Sequence, residues 1–108
     1  MNKDTLENMA TSAFANATQA QADLFATAEM AIEAKLNLET QKAQAMTGGV
    51  IKATNDKGRD AEMRLHLEAE YLKLEQAEKL ERRARHEMAL TSIDVDTVKT
   101  LLRIAELP

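Results

Sequence analysis

Apolar residues return every three or four positions along nearly the whole chain. Stepping alternately four and three residues from Leu6 reaches Ala10, Ala13, Ala17, Ala20, Leu24, Thr27, Ala31, Ala34 and Leu38. Eight of those nine are apolar, a stripe with the spacing of a coiled-coil seam. The pattern predicts one helix over about 4–46. Asp4 or Thr5 is suited to cap its start, with Glu7 three residues after Asp4 as in a capping box. Phe14, Phe25, Met30, Ile32 and Leu36 lie off or beside the stripe, so the apolar face is wider than one partner helix needs.

The same alternation resumes later in the chain. It runs through Met63, Leu67, Glu70, Leu74, Ala77, Glu81, Ala84, Met88, Thr91, Val95, Val98, Leu102 and Ala105, which predicts a second helix over about 59–107. Leu65, Tyr71, Leu72, Leu80 and Leu90 widen this stripe, and Glu75 with Lys79, Glu78 with Arg82 and Glu81 with Arg85 are spaced for ion pairs. At Thr91-Ser92-Ile93-Asp94 a second capping-box pattern precedes the β-branched residues Val95, Thr97 and Val98. The stripe keeps its phase there, so one continuous helix, straight or bent near 91–94, is favoured over two separate ones.

Between the arms, residues 47–58 read TGGVIKATNDKG and hold all three glycines. Gly48 or Gly49 is suited to end the first helix in the left-handed conformation, and Asn55 or Asp56 to cap the second. Val50 and Ile51 have two readings: a staple holding the turn against the helix ends, or an exposed apolar tip that contacts a partner. The fold class that follows is all-α, a long antiparallel helical hairpin occupying 1–108 as a single domain. Arms of this kind extend ~65 and ~74 Å at 1.5 Å per residue. Two helices cannot enclose a core, so assembly into a dimeric four-helix bundle, or docking on another protein, is expected. Leu24, Ala31, Leu38, Leu67, Leu74, Val98 and Leu102 represent the seams that would carry assembly.

Composition narrows the function classes. Residues 1–54 carry four Lys/Arg against six Asp/Glu and residues 55–108 ten against twelve, an even split of the net charge of −4. A broad basic face for nucleic acid is therefore not expected. The absence of cysteine removes disulfides, thiolate nucleophiles and cysteine metal sites. No apolar leader or membrane-length run stands out, which points to the cytoplasm and no membrane partner.

Gly49-Val50-Ile51, then Asn55, Arg59 and Ala61, followed by a long charged helix with a leucine-rich tail, resembles small helical proteins encoded by bacteriophages and prophages. Their turn reads approximately Gly-x-Ile-x-Gly-Lys-Asn-x-x-x-Arg-x-Ala, and the resemblance covers roughly 49–107. Here Ala53-Thr54 replaces Gly-Lys, which speaks against phosphate binding at the turn. The resemblance implies a non-enzymatic accessory protein in a bacterial host, encoded near recombination or replication genes, with no activity attached.

Candidate chemistry is sparse. His66 lies one turn from Glu62 and Glu70, but neither His66 nor His86 has the Glu-x-x-His spacing of helical di-metal sites, and Arg82, Arg83 and Arg85 around His86 would repel a cation. No Gly-x-Ser-x-Gly turn or phosphate-cradling loop is present. No enzyme activity, cofactor or metal is expected. The function favoured is an accessory protein acting through an unidentified protein partner and through self-association, as a dimer first. One alternative is a nucleic-acid-binding or recombination-accessory factor using Arg82, Arg83 and Arg85, although no stacking aromatics lie nearby. The other is a structural or secretion-chaperone helical protein. A secreted hairpin of the WxG type fits poorly, because Thr47-Gly48-Gly49 stands where that type has its tryptophan.

Overall fold

The computed structural model describes residues 2–107, and among them all regular structure is helical. Helix α1 spans Lys3–Thr47, α2 spans Asp56–His66 and α3 spans Glu68–Ala105. Met1 and Pro108, the outermost residues of the predicted domain, lie outside the described residues.

The start of α1 differs from the expected cap. Asn2, rather than Asp4 or Thr5, caps the helix: its Oδ1 accepts from the Thr5 N–H at 2.8 Å and its carbonyl from the Leu6 N–H at 3.1 Å. Asp4 falls instead in the first turn, where a carboxylate favours the helix dipole. At the other end Gly49 takes the left-handed conformation, φ 72°. The Val50 N–H reaches the Ala45 carbonyl at 3.2 Å and the Gly49 N–H the Met46 carbonyl at 3.4 Å, the paired bonds of a Schellman motif.

The connection is held from both sides. Asn55 caps α2 by accepting from the Gly58 N–H at 2.6 Å. The Glu62 carboxylate accepts from the Lys52 N–H at 2.7 Å, and Arg59 donates to the Thr54 carbonyl at 2.8 Å while pairing with Asp56. A Cβ on Gly58 would stand 2.9 Å from both Ala53 Cβ and Asn55 Oδ1. Glycine there lets the loop and the cap close onto the helix.

The second predicted helix is interrupted, and not where a bend was weighed. Residues 91–94 are helical without a break, whereas Leu67 leaves the helical region at φ −112° and ψ 32°, dividing α2 from α3. The backbone bonds from Leu67 N to Met63 O and from Tyr71 N to Leu67 O persist across the site, so it is a local distortion of the ladder. The Thr91 and Thr97 hydroxyls donate back to the Met88 and Ile93 carbonyls at 3.0 and 2.9 Å, which keeps β-branched residues helical there.

Packing divides the chain into two units. One is formed by the chain up to Ala26 together with Glu81 onward, the other by Thr27–Leu80. In the unit of 27–80, Leu38, Ala45, Met63 and Leu67 form a buried cluster against which Ile51, Tyr71 and Leu74 pack. In the other unit the buried positions are Leu6, Ala13, Ala20, Ala84, Thr91 and Val98. There Phe14 and Gln21 of α1 line a groove with Met88 and Ser92 of α3, while Thr5 and Asn8 share one with Thr97 and Val98, so the two segments run antiparallel.

Candidate functional site

The seven seam residues sit within the chain's own packing. Ala31, Leu38, Leu67 and Val98 are buried, and Leu24, Leu74 and Leu102 are half-buried. The buried four are taken up in holding helix to helix inside each unit, while the half-buried three keep part of their area open. Larger exposed apolar area lies outside the stripe.

The two turn residues divide between their two readings. Ile51 is half-buried and packs against the Leu38–Met63–Leu67 cluster, as a staple does. Val50 is 46% exposed beside it. The residues that carried the family resemblance have structural work here: Gly49 reverses the chain, Ile51 plugs the cluster, Asn55 caps α2 and Arg59 ties down the loop.

Of the basic cluster, Arg85 is bound to the Glu81 carboxylate at 2.5 Å. Arg82 and Arg83 are exposed, and neither has a salt bridge among the described residues. The other two expected pairs do not form as read. Glu75 instead takes the Arg64 guanidinium at 2.6 Å, which holds that guanidinium above its ordinary range. Arg64 and Lys42 both lie over the Tyr71 ring, 5.0 and 5.3 Å from its centre. Burial pulls the Lys42 ammonium down, but its interactions with Tyr71 and Glu39 outweigh this and leave it raised. This constellation clamps α1 to α2 and α3 within one unit. It contains no nucleophile paired with a base.

The large apolar side chains that widen the stripe beyond the seam, Phe25, Leu36 and Leu65 among them, stand exposed, and Ile93 joins them. Phe25 is 70% exposed, Leu65 79%, Leu36 63% and Ile93 61%. Their signal in the sequence was their position off the stripe. The grooves on the surface are open depressions. One of about 360 Å³ lies against the Leu67 distortion between Leu65, Tyr71 and Leu72; another of about 470 Å³ runs past Asn8, Ser12 and Asp94. Neither combines a nucleophile, a base and an enclosed volume.

Among the described residues no group of three or more His, Asp or Glu is placed to hold a metal ion, and no helix is long and apolar enough to cross a membrane. No protein-family model matches the chain, and no curated protein or solved structure matches it.

Proposed function

We propose that this chain is a non-enzymatic accessory protein, of the kind phages and prophages encode, that works in the bacterial cytoplasm by self-association and by binding another protein. One observation carries the reading. Among the described residues fourteen large apolar side chains are exposed, whereas only five of the buried ones (Leu6, Leu38, Met63, Leu67 and Val98) are larger than alanine. Scattered apolar residues on a surface are ordinary, but an excess over the core itself favours burial against protein. A dimeric four-helix bundle would bury part of this surface.

The test is the solution mass of the purified chain, measured by light scattering behind a sizing column at high micromolar concentration. Twice the 12.0 kDa chain mass is expected. A strictly monomeric protein would remove self-association from the proposal.

A second reading keeps one specific support: Arg82 and Arg83 are adjacent exposed residues of α3, and neither has a salt bridge among the described residues. A nucleic-acid-binding factor built on them would lose affinity steeply with salt. Absence of any gel retardation at low salt would eliminate it.

A further inference from the structure

Both phenylalanines of the chain lie on α1, outside the seam and exposed: Phe14 at 45% and Phe25 at 70%. They stand eleven positions apart, about three helical turns, so they share one face ~16 Å apart along the axis. Between them on that face stand Thr18 and Gln21, also exposed. The stripe Phe14-Thr18-Gln21-Phe25 therefore has spacings of four, three and four. It reads the same in both directions.

That symmetry has a chemical consequence. When two copies of such a helix lie antiparallel about a two-fold axis passing between Thr18 and Gln21, Phe14 of each copy faces Phe25 of the other, and Thr18 faces Gln21. Aromatic meets aromatic at both ends. In the middle, the Thr18 hydroxyl already gives its proton to the Phe14 carbonyl at 2.9 Å, so its oxygen is left to accept. The Gln21 amide has the N–H to donate.

Charge agrees with this pairing. From Asn8 to Ala22 the chain has no charged residue, although charged residues make up 30% of the whole. A surface meant for water alone has no reason to shed charge over four helical turns. A surface that meets its own copy does, because every charge on an isologous interface faces a like charge near the axis. The nearest acid, Asp23, is engaged by the Gln19 side-chain amide at 2.9 Å. Beside Phe14, a groove of about 260 Å³ between Thr18, Gln21, Ser92 and Val95, with Asp96 on its α3 side, offers room for a ring edge from a second molecule.

We infer that the Phe14-Thr18-Gln21-Phe25 stripe of α1 is the surface on which a second copy of this chain docks, antiparallel and two-fold symmetric. The inference rests on the self-association proposed above and assigns it to one face. The contact spans few residues, so the dimer is a weak, micromolar one rather than an obligate one.

The chain has no cysteine, which makes the test direct. Thr18→Cys and Gln21→Cys variants are mixed under mild oxidation, and the Phe14→Glu/Phe25→Glu double variant is weighed by light scattering with helicity recorded on the same sample. The mixed pair is expected to form a disulfide-linked dimer faster than either cysteine variant alone. The double variant is expected to keep wild-type helicity and weaken dimerisation at least ~100-fold. A Leu65→Glu control, exposed in the other unit, is expected to leave the mass unchanged. A double variant that still dimerises like the wild type, with no preference for the mixed disulfide, would overturn the stripe while leaving self-association intact on another face. A wild-type chain that is monomeric throughout would overturn both. Should the double variant lose helicity, the disulfide preference alone decides between the two.

Discussion

The two packing units use the same heptad-like spacing and fill it differently. Around the turn, the buried positions include Leu38, Met63 and Leu67, joined by Ile51, Tyr71 and Leu74 in one contiguous cluster. Each unit buries six positions of which three are alanine; in the unit made by the two ends of the chain the other three are Leu6, Thr91 and Val98, and among the described residues they form no such cluster. At ~25 cal/mol per Å² an alanine side chain contributes a small fraction of what a leucine does. Periodicity decides which residues face the neighbouring helix; side-chain size decides how much that contact stabilises. Along α1 the deeply buried residues step by seven in each unit, at 6, 13 and 20 and again at 31, 38 and 45, with eleven between Ala20 and Ala31 at the boundary. That step is a four-residue insertion into the heptad, and it moves the most buried register from one edge of the stripe to the other.

The largest effect should come from making one substitution in both units. Leu38 is 2% exposed and belongs to the cluster, so Leu38→Ala should cost about 3 kcal/mol, within the range for leucine truncations in cores. Leu6 is 5% exposed, nearly as buried, but it sits in the first turn of α1, and helix ends open more readily than helix middles. It lies outside the buried cluster found among the described residues. Leu6→Ala should cost about 1 kcal/mol. Urea unfolding of both variants measures the difference. Equal losses would mean that the two units are equivalent in stability, and the contrast drawn from their side chains would fail.

A smaller effect sharpens the role of the turn. In an exposed helix, replacing glycine by alanine ordinarily stabilises by about 1 kcal/mol. At Gly58 the added methyl would stand 2.9 Å from Ala53 Cβ and from the capping oxygen of Asn55. The loop must give way or the cap must open, and a lost cap costs about 1 kcal/mol. Gly58→Ala should therefore lower the melting temperature, the reverse of its propensity. A rise would show that the turn yields freely and contributes little to its unit.

Much of this organisation was legible in the sequence because it depends on spacing. Every residue of the first stripe from Leu6 to Leu38 is buried or half-buried, and so is every residue of the second from Met63 to Leu102. The Schellman glycine and the Asn55 cap were each one of two residues singled out, since few residue types suit those roles. The distortion at Leu67 left no mark, because leucine is a good helix former and the flanking backbone bonds survive. It falls between α2, which Glu62 and Arg59 tie to the loop, and the stretch of α3 that Tyr71 and Leu74 hold against the cluster. Asn2 was passed over because Asp4 and Glu7 have capping-box spacing, and spacing alone does not say which of several capping residues the chain will use. The outward face was harder still. The phenylalanine stripe departs from the seam's phase, and only exposure on the folded chain separates it from core.

The smallest effect tests the thin unit from within. Thr91 is its one buried polar residue among those described, 9% exposed, beside Ala17 of α1 and Val95 of its own helix. Its hydroxyl donates to the Met88 carbonyl at 3.0 Å, a bond made inside its own helix. Thr91→Val removes that hydroxyl while keeping the branched shape. The Met88 carbonyl still has its helical backbone partner, so no buried acceptor is stranded. A methyl in place of the hydroxyl adds apolar contact at a seam that has little of it. The expected change is a gain of about 0.5 kcal/mol or less, read as a slight rise in urea midpoint with an unchanged slope. A loss of 1 kcal/mol or more on the scale of a broken buried hydrogen bond would mean that the Thr91 hydroxyl does more than satisfy its own helix. The alanine seam would then depend on a polar contact for its register, and the weaker unit would be held by specificity rather than by area.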